Sequence, residues 1–239
     1  MVNILVSALF VMFLFPASSF ASCLICHSAM EGRMEGSKGV VDVHIDADKF
    51  DKSVHGAIGC TDCHLTYGHE AHTPPVQEVP EDVAGLVPFV SIKSKIDPVA
   101  QSACYRCHPQ VYDDYRASVH GQNVFVKKEG DGPVCLDCHG SPHYIVPASE
   151  KESQVNHASL LHTCGGCHED EKLVEKYGLG TLVIEKYKES FHGKKYILGH
   201  RKVPICSDCH GSHAIVKADD PNSPVVGEGK VKTCGKCHK

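Results

Sequence analysis

The sequence predicts a mostly α-helical chain with much coil, built from short helices around something other than a conventional side-chain interior. Three observations predict it. Cys-x-x-Cys-His occurs seven times and uses every one of the 14 cysteines in 239 residues. Aromatic side chains make up only 7% of the chain and Trp is absent, so side chains alone give a thin apolar core, while 21 Gly and 13 Pro divide the chain into short pieces. Three stretches of two to three helical turns, each ending in His-Gly, stand ahead of alternate copies of the motif.

The motifs are Cys23/Cys26/His27, Cys60/Cys63/His64, Cys104/Cys107/His108, Cys135/Cys138/His139, Cys164/Cys167/His168, Cys206/Cys209/His210 and Cys234/Cys237/His238. Two thiols three residues apart can hold the two vinyl groups of one porphyrin as thioethers, and the adjacent imidazole then becomes an axial iron ligand. Zinc ribbons and disulfide frameworks use the same cysteines differently. A ribbon brings two Cys pairs to one metal and has no need of a histidine after every pair. A disulfide framework leaves irregular spacings. The histidine follows all seven times here, so the expected cofactor is heme c, seven copies covalently bound. The fold class becomes short helices wrapped around a chain of seven haems.

In chain order, residues 1–21 read as a Sec-type signal peptide: an apolar run to Pro16, then Ser19 and Ala21 at −3 and −1 of a cut before Ser22. The run is shorter than the ~20 residues of a membrane span. It carries no Lys or Arg, which leaves an uncleaved anchor as the alternative. No later segment is long and apolar enough to span a bilayer. Residues 22–47 form a leading haem segment. Residues 48–110, 111–175 and 176–239 form three two-haem modules, each opened by an amphipathic stretch: 48–56, 112–121 and 184–193. Tyr112, Tyr115 and Val119 share one helical face, as do Ile184, Tyr187 and Phe191. The glycine after each histidine suits a C′ position with positive φ, which places His55, His120 and His192 in the last turn of a helix. Asp precedes the second cysteine in motifs two, four and six. Motifs four and six continue to His143 and His213, and motif two continues more loosely to His69 and His72.

The 18 histidines minus seven proximal ones leave eleven for seven sixth positions, whereas only four Met exist. Bis-histidine ligation follows, with distal ligands expected at His55, His72, His120, His143, His192, His213 and His44. His69, His157 and His162 remain alternatives, and His200 reads as a surface residue. The formal charge of −5 carries no basic patch for nucleic acid.

This layout resembles the bacterial multihaem c-type cytochromes of the cytochrome c3-like superfamily. The match lies in the Ser-Val-His-Gly helices and the Cys-x-Asp-Cys-His-Gly-x-His turns, and it spans Cys23 to His238. The resemblance implies closely packed haems and a periplasmic or extracellular electron carrier rather than an enzyme. It also implies other redox proteins as partners, such as a membrane b-type cytochrome or quinol-oxidising complex, with membrane association only through a partner. Two alternatives stay open: a multihaem reductase of a small nitrogen or sulfur compound, and a subunit of a conducting cytochrome filament.

Overall fold

A computed structural model describes residues 20–29, 33–36, 39–64, 103–180 and 182–239. The expected signal peptide up to residue 19, His69, His72 and the 74–97 stretch lie outside the described residues. Among those described, the architecture is mostly helical with much coil, and no helix is long and apolar enough to cross a membrane. One addition is a two-stranded antiparallel ribbon, Arg33–Gly36 with Gly39–Asp42, between the first motif and the first module.

The helices are short because the chain keeps stopping them. In the second module, α1 (Pro109–Ala117) begins on a proline at its first turn, where a missing N–H costs nothing. It stops at Ser118, whose backbone is extended at φ −67° and ψ 164°. Ser118 then caps the next element, α2 (Val119–Gly121): its hydroxyl accepts from Gly121 N–H at 3.0 Å and donates to Tyr115 O at 2.6 Å. The third module repeats this with α3 (Val183–Glu189), Ser190 and α4 (Phe191–Ile197). Ser190 Oγ is 3.0 Å from Gly193 N and 2.7 Å from Tyr187 O.

This corrects the helix-end reading of the Ser-x-His-Gly stretches. His120 and His192 sit in the first turn of a new helix, not the last turn of the old one. Gly121 has φ −64°, so positive φ is not its purpose. The glycine is required by a close backbone crossing. A Cβ would stand 2.0 Å from Tyr115 O at Gly121, 1.8 Å from Tyr187 O at Gly193, and 2.5 Å from Asp51 O at Gly56. The break at the serine also ends the shared face. Tyr112 and Ile184 are buried, but Phe191 is 73% exposed.

Each of these modules is pinned by its tyrosine. Tyr115 donates to Pro133 O at 2.6 Å, and Tyr187 donates to Pro204 O at 2.9 Å. Those carbonyls lie just ahead of motifs four and six. Apolar burial is thin, as the composition implies: the interior among the described residues consists of Phe50, Ala103, Tyr112, Val124, Val134, Leu136, Leu173, Ile184 and Ile205. Successive modules join through one repeated backbone bond. Val54 N–H donates to Ile145 O, and Val119 N–H donates to Ile215 O, both at 2.8 Å.

Candidate haem-attachment sites

Four motifs open directly as short helices: Cys60–Cys63, Cys104–Cys107, Cys135–His139 and Cys206–His210. Three close longer ones, within or just beyond Phe20–His27, Leu160–His168 and Gly227–Gly235. A helical turn carries residues i and i+3 on one side, so the two thiols of each motif face the same way. None of the fourteen is bridged.

The recurring Asp of motifs two, four and six has a structural cause. Its carboxylate reaches back to accept the N–H of the residue ahead of the first cysteine: Gly59 to Asp62 at 2.9 Å, Val134 to Asp137 at 2.6 Å, Ile205 to Asp208 at 2.7 Å. This satisfies an otherwise orphaned donor at the helix start and starts the turn that presents the cysteines. The pattern was visible in the sequence, but its capping role was not assigned there.

The proximal histidines are where the geometry becomes informative. Five of them face a second histidine, and each of the five is one of the candidate distal ligands. Ring centroids are 6.0 Å apart for His64 and His143, 6.5 Å for His108 and His55, and 6.0 Å for His139 and His213. They are 6.3 Å apart for His168 and His120 and 6.0 Å for His238 and His192. Metal–imidazole bonds of about 2.0 Å put two rings on opposite sides of one metal at ~6.3 Å between centroids. Interplanar angles range from 5° to 65°, and rotation about a shared axis leaves the centroid separation unchanged.

The pairs follow a rule. The Ser-x-His-Gly histidine faces the closing motif of its own module: His55 with His108, His120 with His168, His192 with His238. The turn histidine faces the inner motif of the module before it: His143 with His64, His213 with His139. Modules therefore interlock through their histidines as well as through the Val–Ile backbone bonds.

Ring environment favours ligation at several of these positions. His27 Nδ1 lies 2.8 Å from Val43 O and His55 Nδ1 lies 3.0 Å from Pro142 O. A carbonyl can only accept, so both contacts place the proton on Nδ1, the tautomer in which Nε2 carries the lone pair a metal would use. Burial, then the neighbouring His168, pushes His120 down to about 4. His139, His143 and His168 are lowered mainly by burial too. These imidazoles are neutral at pH 7, the form that binds metal.

The thiols mark the order of the sites. Cys104 and Cys135 share a hydrogen bond that lowers the first and raises the second, and Cys164 and Cys206 do the same with Cys206 as the lowered partner. Cys60 is raised by burial and then by Cys23, Cys63 by burial and then by Cys104, and Cys209 by burial, Asp208 and then Cys234. Cys138, pushed up to about 11 by burial, also feels Cys167. Motifs one to seven thus neighbour one another in sequence order.

Four of the expected attachment cysteines are exposed, Cys26, Cys107, Cys234 and Cys237, and the other ten are half-buried. Cys237 falls beyond the end of the helix Gly227–Gly235, where its N–H donates to Cys234 O at 3.2 Å. Cys26 stays inside Phe20–His27, and its carbonyl accepts from Ala29 N–H at 3.1 Å.

The donor set fits haem better than zinc. A zinc site needs three or four donors converging on a point, and among the described residues no such group of His, Cys, Asp or Glu exists. Two-histidine oppositions beside paired thiols match an axial pair and its thioethers.

The remaining candidates separate. His44 is exposed, in the segment that backs onto motif one, where Ile45 N–H donates to His27 O at 2.9 Å. His157 Nε2 is committed to Val203 O at 2.8 Å, which makes it a structural tie between modules. His162 is exposed on the rim of a cleft of ≈ 440 Å³ that also receives Cys167 and Asp137. His200 is exposed. His210 is the exception among the inner motifs: it is exposed, and among the described residues no ring stands opposite it.

No family model matches this chain, and neither the curated proteins nor the solved structures gave a match.

Proposed function

We propose that this chain is an exported heptahaem c-type cytochrome that passes electrons between respiratory partners, akin to the cytochrome c3-like proteins its motifs resemble. The observation that carries this reading is the opposition of five motif histidines to five repeat histidines at 6.0–6.5 Å. Nothing else about so thin an apolar interior requires paired imidazoles at that spacing, and a buried imidazole without a partner is costly.

In this reading the seven cysteine pairs would hold the porphyrins as thioethers, along a row in which each attachment site neighbours the next. When bound, the irons would supply one-electron redox chemistry. The His64–His143, His108–His55, His139–His213, His168–His120 and His238–His192 pairs would each offer two imidazoles to one iron, a ligation that favours low-spin iron of low potential. The Asp62, Asp137 and Asp208 caps and the Ser118 and Ser190 turns set the ligands' orientation. Export to the periplasm or beyond follows from the N-terminal segment and from where such haems are attached. Docking to a quinol-oxidising membrane b-type cytochrome is the partner the resemblance suggests.

The test is expression in a host that matures c-type cytochromes. Intact mass should show seven haems on a chain cut before Ser22, and voltammetry should show reversible reduction. Colourless protein, or protein loaded with zinc, ends the proposal.

A further inference from the structure

The rule of pairing has one conspicuous gap. His64 and His139, the proximal histidines of inner motifs two and four, are half-buried and faced by His143 and His213 at 6.0 Å. The third inner motif is Cys206–His210, with the same Asp cap and the same turn into glycine. Yet His210 is exposed and no ring stands opposite it among the described residues. Its surroundings differ in the same way. Val54 and Val119, beside the filled junctions, each donate a backbone bond to the incoming Ile145 or Ile215. Phe191 holds the corresponding place in the third module. It is 73% exposed, and its N–H has no such acceptor among the described residues.

We infer that the sixth position at motif six is open, and that this site takes small exogenous axial ligands while the paired sites do not. The inference rests on the haem reading above. The rim of the site sets the ligand class. By the repeat, Phe191 borders the open face, with Lys195 Nζ 5.8 Å from its ring centroid. An apolar wall with a cation beside it suits small uncharged or anionic donors: carbon monoxide or nitric oxide on ferrous iron, cyanide or nitrite on ferric iron. His27 is not counted as a second such site, because it makes a further contact beyond its bond to Val43.

Carbon monoxide is the probe, used on the mature reduced protein whose haem content has first been counted by mass. Seven haems that take up one equivalent of carbon monoxide, with one high-spin ferric signal per chain by electron paramagnetic resonance, is the expected result. The double variant Cys206→Ala, Cys209→Ala should hold six haems and take up none. His213→Ala should instead raise uptake from one equivalent to two, by opening motif four. If the double variant fails to mature, the wild-type stoichiometry and the His213→Ala increment still decide. Seven low-spin haems that bind no carbon monoxide overturn the inference and leave the electron-transfer reading intact. Uptake that survives in the six-haem variant overturns it too, by placing the open site elsewhere. Uptake that appears only on dilution overturns it in favour of a histidine donated by a second copy of the chain. Absence of haem altogether is a failure of the underlying reading, and the mass measurement reveals it first.

Discussion

The second and third modules are the same machine assembled twice, and the contrast between them lies at one edge. Tyr115 and Tyr187 bind matching carbonyls, Ser118 and Ser190 stop and restart the helix, Asp137 and Asp208 cap the inner motif, and Ser153 and Ser223 are buried in matching turns. The second module, however, receives its neighbour through Val119 N–Ile215 O and His139–His213, whereas Phe191 and His210 receive nothing comparable among the described residues. The lesson is that local sequence builds a module's scaffold and its closing pair, while the inner pair depends on the neighbour. On the proposed haem reading, ligation and module stacking would be one event at an inner motif and separate events at a closing one.

Substituting the crossing glycines tests whether the two scaffolds are equivalent, and it should have the largest effect. A methyl group at Gly121 or Gly193 meets a carbonyl at 2.0 or 1.8 Å, and neither partner is a side chain that can swing away. Gly121→Ala and Gly193→Ala should each cost about 3 kcal/mol, the upper range for overpacking, seen as matching losses in thermal midpoint. Each should also loosen its histidine: His120 against His168 in one, His192 against His238 in the other. A mild effect at Gly193 alone would mean that the third module relaxes where the second is held by its neighbour, and the comparison would sharpen at that point.

The aspartate caps come next. Asp137→Ala and Asp208→Ala each leave a backbone N–H at Val134 or Ile205 without its 2.6 or 2.7 Å acceptor. Loss of such a cap typically costs about 1 kcal/mol, measurable by denaturant titration. Asp62→Ala should behave alike, since Gly59 N–H has the same bond at 2.9 Å. Unequal costs would show that the helix start at one inner motif is held by its neighbours instead.

How much of this was legible in the sequence depends on how local the cause is. The cysteine motifs, the helical content and the three Ser-x-His-Gly stretches were readable because each is written in consecutive residues. The exposure of Cys26, Cys107, Cys234 and Cys237 was not, because identical motifs say nothing about which of their thiols the fold leaves uncovered. Five of the seven candidate distal histidines, His55, His120, His143, His192 and His213, were named from their recurrence and stand opposite a motif histidine. Their partners were not readable, because His143 meets a histidine 79 positions earlier in the chain and His213 one 74 positions earlier. The glycine's purpose was misread because φ preference is a property of the residue, whereas the approach of Tyr115 O to Gly121 is a property of the fold. Phe191 was placed on a buried face because periodicity assumes an unbroken helix, and Ser190 breaks it. The ribbon at 33–42 went unseen because its four-residue strands carry little alternation.

The smallest effect separates the modules by pH. A phenol buried in its protonated form has a raised pKa, so its contribution to stability is complete below the unfolded value and is lost as pH rises through the folded one. Tyr187 is pushed from 10.0 to about 12, chiefly by burial. Tyr115 is pushed higher still, again chiefly by burial. Below pH 10 both contributions are intact. Between 10 and 12 both shares should be lost together, because the unfolded phenols ionise there while both folded phenols stay protonated. Tyr187→Phe should cost about 1 kcal/mol at neutral pH, the typical value of one such hydrogen bond. It should also flatten the loss of stability between pH 10 and 12. Tyr115→Phe should show the same neutral cost and the same flattening, and the modules separate only above about 12, where the Tyr187 loss levels off first. Melting curves taken across pH 7 to 12 on the two variants check the shared limb. If Tyr187→Phe retains the wild-type alkaline limb while Tyr115→Phe flattens it, the third module's tyrosine is not held protonated by its burial, and the two modules differ in that respect.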